Sequence, residues 1–195
     1  MNTPAHVIFA AAAFARPGDR TRTAAAVLGA LAPDLSLYVM TGWALFIAGY
    51  DPAYVFDTLY FSSAWQAVFA IDNSVFVWGA ILVWAWRRDA SNVMVFAASA
   101  LMHLALDFPL HHDDGRPHFW PVTGWVFESP LSYWDVAHHA TIIGPLEIVV
   151  SLICCGVLAR RFTSVRSRLA IAALALTQAS PAYFWAFVFS GGPPQ

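Results

Sequence analysis

The sequence predicts an all-α integral membrane bundle, with about five spanning helices and one short N-terminal helix. Three observations carry that expectation. First, 59% of the 195 residues are apolar and only 11% are charged, where a soluble domain carries about a quarter charged residues. Second, the apolar excess forms long runs, at approximately 23–49, 63–86, 91–109, 140–159 and 168–190. Each is close to the ~20 residues a helix needs to cross the hydrocarbon core. Third, the charges sort by side. There is no lysine, and nine of the ten arginines precede the first run or separate the second from the third and the fourth from the fifth. Five crossings put those three groups on one face, which the positive-inside rule makes cytoplasmic. The opposite face holds Asp51, Asp57, Asp113, Asp114, Glu128, Asp135 and a single cation, Arg116. Tyr50, Tyr54, Trp120, Trp125, Tyr133 and Trp134 also fall there, where an interfacial aromatic belt belongs.

Each element has a local cause. Thr3-Pro4 reads as an N-cap followed by proline at the first helical position, and Arg16-Pro17-Gly18 as the stop of a three-turn helix. Arginines follow this helix rather than precede it, which is the wrong polarity for a secretory signal. The first long run is interrupted by Pro33, where a helix kinks. The second contains Asp72-Asn73-Ser74, read either as polar groups inside a span or as the cap of a new helix behind an interfacial one. The third ends at His103-Leu-Ala-Leu-Asp107-Phe-Pro109. The fourth carries Gly144-Pro145, Glu147 and the adjacent Cys154 and Cys155, which read as packing residues. The fifth contains Pro181. Residues 110–139 form the one sizeable polar loop and hold five of the seven histidines. No repeat or linker divides the chain, so 1–195 reads as a single membrane-embedded domain.

The chemistry gathers near one end of this bundle. His103 and Asp107 are four apart and share a helix face. His111, His112 and Asp113 follow at once, and imidazole nitrogen with carboxylate oxygen suits zinc, manganese or iron(II). An Asp107 that merely orients His103 is the plain alternative. His6, Asp34, Asp72 and Glu147 add ionisable groups at membrane depth, where an unpaired charge costs about 3 kcal/mol on insertion scales. Such groups face one another, share protons or bind a cation. For Glu147 the alternative is a protonated carboxyl bonded to a carbonyl freed by Pro145. For His6 it is an interfacial anchor.

The order of these motifs resembles the YdjM-like family of bacterial inner-membrane proteins, a family of membrane-bound, metal-dependent hydrolases. The residues that carry the resemblance are His6, Ala32-Pro33-Asp34-Leu35, His103-x3-Asp107 and Phe119-Trp120-Pro121. Two departures stand out. Ser36 replaces the second aspartate of the family's Pro-Asp-x-Asp. The central His-Arg-x-x-Thr-His-Ser is missing, its nearest counterpart being Ala70-Ile71-Asp72-Asn73-Ser74. The resemblance implies a divalent metal, zinc or else manganese or iron, held by His6, Asp34, His103 and Asp107, with His111 or His112 joining. Glu147 or Asp113 would act as general base. His118, Trp120, Asp72 and Asn73 would meet the substrate, a lipid or lipid-linked ester or phosphoester at the outer interface. Two other readings stay open: a non-catalytic membrane protein with a polar or metal-binding core, and a small ion- or proton-coupled transporter. A net charge of −2 and the lack of a basic, aromatic-interleaved surface exclude a nucleic-acid binder. Phosphate loops, dinucleotide fingerprints and nucleophile elbows are absent.

Overall fold

The computed structural model describes residues 1–190, with side chains through Ser180. The described residues are helical, with no strand among them. The elements are α1 (Thr3–Phe14), α2 (Arg20–Gly42, continued by a wider turn over Trp43–Ile47), α3 (Pro52–Tyr54) and α4 (Ser63–Asp72). They continue as α5 (Val75–Arg87), α6 (Ser91–Asp107), α7 (Ala140–Arg161) and α8 (Val165–Ser190).

Many large apolar side chains face outward while a set of polar ones is buried. Phe46, Ile47, Val149, Ile153 and Leu169 are exposed, while His6, Ser99, His103, Ser151 and Gln178 are buried. Water as solvent would not tolerate this inversion; a lipid surround would, because apolar side chains there gain nothing by hiding. Three helical stretches are long and apolar enough to cross a membrane: Arg20–Ile47, Ser63–Arg87 and Ala140–Arg161. The expected count of about five is thus met only in part, by three stretches among the described residues. The third expected run yields only the 17 residues of α6, ended by Asp107 ahead of Pro109. The fifth becomes α8, whose side chains from residue 181 onward, Pro181 included, lie outside the described residues.

Asp72-Asn73-Ser74 proves to be a helix boundary. The Ser74 hydroxyl accepts from the Phe76 and Val77 amides and starts α5, so the second run is two helices meeting at Asn73 and Ser74. At the N-terminus, Thr3 does not cap α1. Asn2 occupies that position without a side-chain bond, and the Thr3 hydroxyl donates to Asp34 Oδ2 at 3.1 Å instead. The following stop is as expected, with Gly18 at φ +84° and Asp19 capping α2 through the Arg22 amide.

α1 is the centre of the assembly. It touches α2, α6, α7 and α8, and packs Val7 and Ala10 on Ala30 and Ala11 and Ala15 on Leu158. Arg161 donates to the carbonyls of Ala12 and Ala15 and so closes the free end of α1. The tightest helix pair is α2 against α6. A Cβ on Gly29 would lie 2.1 Å from the Phe96 carbonyl oxygen and 2.9 Å from Ser99 Cβ. Only glycine permits that approach, the use to which small residues are put where helices associate without a hydrophobic drive.

Candidate metal centre

The α1, α2 and α6 contacts bring together side chains far apart in sequence. His6, on the second turn of α1, and His103 and Asp107, on one face of α6, place ligand atoms all within 4.8 Å of one another. The two imidazoles lie nearly parallel with centroids 3.6 Å apart. His6 Nε2 is 2.9 Å from Asp107 Oδ1. Asp34, one residue beyond the Pro33 kink of α2, puts Oδ1 3.7 Å from His103 Nε2. The histidines are each 1% exposed and Asp107 is 9% exposed, so water screens little of their interaction.

His103 defines the chemistry. Its Nδ1 lies 2.7 Å from the Ala30 carbonyl, which can only accept, so Nδ1 carries the proton. Nε2 is then left as a buried lone pair without a hydrogen-bond partner, yet it lies 3.1 Å from Asp107 Oδ2. A lone pair facing a carboxylate is repulsive, and either a second proton or a metal cation must lie between them. An Nδ1–H donating to a carbonyl is the usual outer support of a metal-bound imidazole. The Met1 nitrogen also lies 2.5 Å from Asp107 Oδ1. The buried lone pair, the two histidines and the two carboxylates thus fit a borderline divalent ion.

A cavity of about 400 Å³ opens beside this cluster, walled by Asp34, Asp107 and the folded loop. The loop returns over the site through backbone bonds from Ser129 to His111 at 3.1 Å and from Val75 to His118 at 2.9 Å. His111 lies between two carboxylates, with Nε2 3.3 Å from Asp107 and Nδ1 2.8 Å from Asp114. Burial pulls the His111 imidazole down, but the two carboxylates outweigh it and the net shift is upward. Burial pushes the Asp114 carboxyl up, and His111 more than reverses that, holding it below the usual range. Each partner thus favours the charged form of the other. Burial keeps His118 below its ordinary value and raises the Tyr133 phenol, so both stay neutral.

Among the residues picked out from sequence, His6, Asp34, His103, Asp107 and His111 converge. His118 and Asn73 line the cavity, His118 directing Nδ1 at the Asn73 carbonyl, 3.0 Å away. The other picks lie elsewhere. His112 stacks on His138 at 3.5 Å and points Nδ1 at the Ser129 carbonyl. Asp113 is exposed and absent from the cavity wall. Asp72 and Trp120 are likewise outside it, offering only main-chain carbonyls to Trp78 and Ser74. Glu147 is buried behind α1, where Oε1 accepts from the Asn2 amide, Asn2 Nδ2 and Gln178 Nε2 at 3.1, 2.9 and 2.8 Å. Its place is structural: it ties the start of α1 to α7 and α8. Replacing it by alanine strands those buried donors and is expected to lower the melting temperature by about 5–10 °C. Glu147→Gln, which keeps an acceptor oxygen, is expected to cost less than half of that, as differential scanning fluorimetry in detergent would read. Equal losses would show that the charge, not the acceptor, matters.

Asp114, Arg116, Tyr60 and Tyr133 also wall the cavity and had no local signal marking them. Comparison with protein-family models, curated proteins and solved structures finds no match, and the residues themselves carry the functional reading.

Proposed function

We propose that this chain is a membrane-bound, metal-dependent hydrolase of an ester or phosphoester, in keeping with the YdjM-like family it resembles. The observation that supports the reading is the buried His103 Nε2 lone pair set against Asp107 and Asp34. A second proton or a metal cation would each answer that lone pair, and a donor set of two imidazoles and two carboxylates suits a divalent ion. His6, Asp34, His103 and Asp107 would hold the ion, zinc in the first place and manganese or iron(II) as alternatives. When bound, such an ion lowers the pKa of a coordinated water toward about 7 and stabilises negative charge on the scissile group.

The chain's own residues supply the rest. Ala30 fixes the His103 ring through Nδ1. Asp114 lies 2.8 Å from His111 Nδ1, and a protonated His111 would place an acid at the cavity wall for a leaving oxygen. Neither Glu147 nor Asp113 reaches the cavity, so proton transfer is assigned to His111. The bundle sits in a bacterial inner membrane with its arginine-rich ends cytoplasmic and its histidine-rich loop outside, where a lipid or lipid-linked substrate would reach the cavity.

Metal analysis of protein purified in detergent without chelator, by inductively coupled plasma mass spectrometry, is expected to find about one zinc, manganese or iron per chain. The loaded protein is expected to hydrolyse members of a panel of p-nitrophenyl esters and phosphoesters, and to stop on chelation. Protein that neither carries nor takes up such a metal overturns the reading. Metal without hydrolysis favours the non-catalytic alternative.

A further inference from the structure

Arg116 is the single arginine on the face opposite the three arginine groups, and the loop fold brings it to the cavity that Asp34, Asp107 and His111 line. Its guanidinium lies 4.4 Å from the Phe69 ring centre and 5.0 Å from that of Tyr60, and Nη2 donates to the Tyr60 hydroxyl at 2.6 Å. No carboxylate of the described residues is within ion-pair distance of it. A half-buried guanidinium held by two aromatic rings and a phenol, with donors left over, is an expensive arrangement unless an anion completes it.

The neighbouring charges are already spoken for. Asp114 lies against His111 at 2.8 Å, and Asp34 and Asp107 would be matched by a divalent ion. Arg116 has no such counterpart among the described residues. We propose that Arg116, steadied by Tyr60 and Phe69, binds the phosphate of the substrate, so that the hydrolase acts on phosphoesters and not on neutral carboxylic esters. The planar fork presents parallel N–H groups that match phosphate oxygens. A neutral ester would leave the guanidinium desolvated and unpaired. The assignment rests on the hydrolase reading for the fate of the phosphate, while the anion site itself can be tested apart from it.

Isothermal titration calorimetry on the detergent-solubilised protein, with and without zinc, would use inorganic phosphate and dihexanoyl phosphatidic acid as probes. Both are expected to bind the zinc-loaded wild type. Arg116→Gln is expected to weaken both at least about 10-fold, equivalent to 1.4 kcal/mol, and Arg116→Lys to weaken them less, with zinc uptake unchanged in each variant. Tighter binding of phosphatidic acid identifies a lipid headgroup as the phosphate source, and equal binding a soluble phosphoester; either order supports the site. A wild type that binds neither probe overturns the proposal, as does an Arg116→Gln variant that keeps zinc and binds phosphate as tightly as wild type. Arg116-dependent phosphate binding in a protein that takes up no metal would uphold the anion site and overturn the hydrolase.

Discussion

Zinc is expected to raise the melting temperature of the wild-type protein by about 5–10 °C at 100 times its dissociation constant, and that of His103→Ala by less than about 1 °C. The first figure follows from mass action: ligand at that excess adds about 2.7 kcal/mol, and each kcal/mol moves a chain of this size by about 2–4 °C. The second follows from the geometry. His103 supplies the lone pair that faces both Asp34 and Asp107, and its ring is already oriented by Ala30. Loss of an outer-shell partner typically costs 10–100-fold in metal affinity, so loss of the ligand itself is expected to cost more than about 100-fold. Calorimetric titration with zinc gives the same comparison directly. Should His103→Ala bind zinc as wild type does, the ion lies elsewhere or the site holds a proton.

A second large effect is expected at a position that has no side chain. Gly29→Ala adds one methyl group, but the atom it meets is the main-chain oxygen of Phe96 in α6, which cannot rotate away. α2 and α6 must separate. Overpacking of this kind costs typically 1–3 kcal/mol and occasionally more, and a collision with backbone belongs at the top of that range. The melting temperature is expected to fall by about 6–12 °C. Asp34 rides on α2 and His103 on α6, so zinc affinity is expected to fall with it, by at least about 10-fold. Gly79→Ala in α5, where an added Cβ meets nothing within 4 Å, serves as control. It is expected to leave zinc binding unchanged and to stabilise slightly, since alanine is the better helix former by up to about 1 kcal/mol. Equal behaviour of the two variants would show that the close α2–α6 approach does not hold the site.

The parts of this site that lie on regular helices were readable from residue order. His103 and Asp107 are four apart, so the helical period alone puts them on one face. Asp34 follows a proline, and an acid at a kink in an apolar run has to meet something. The parts built by chain reversal were not readable. Arg116 and Asp114 reach the cavity because the loop folds back through Ser129 and His118, and no periodicity encodes that. The same reversal takes His112 away: its neighbour His111 finds Asp114, and the next ring, pointing elsewhere, stacks on His138. Gly29 sat unnoticed in an alanine-rich stretch because its importance lies wholly in the helix it faces. The ends of the helices were hidden for a related reason. Hydropathy sees α4 and α5 as one run, and α6 as long as its neighbours, whereas the Ser74 cap and Asp107-Phe108-Pro109 set their true ends.

The burial of α1 among four other helices also sets a timetable for biogenesis. His6 emerges from the ribosome 101 residues before Asp107, a delay of roughly 5–20 s at ordinary rates of synthesis, and the α7 and α8 walls arrive later still. The first segment made is thus the one whose final berth is finished last. A cluster that joins α1 to α6 can therefore close only late in assembly.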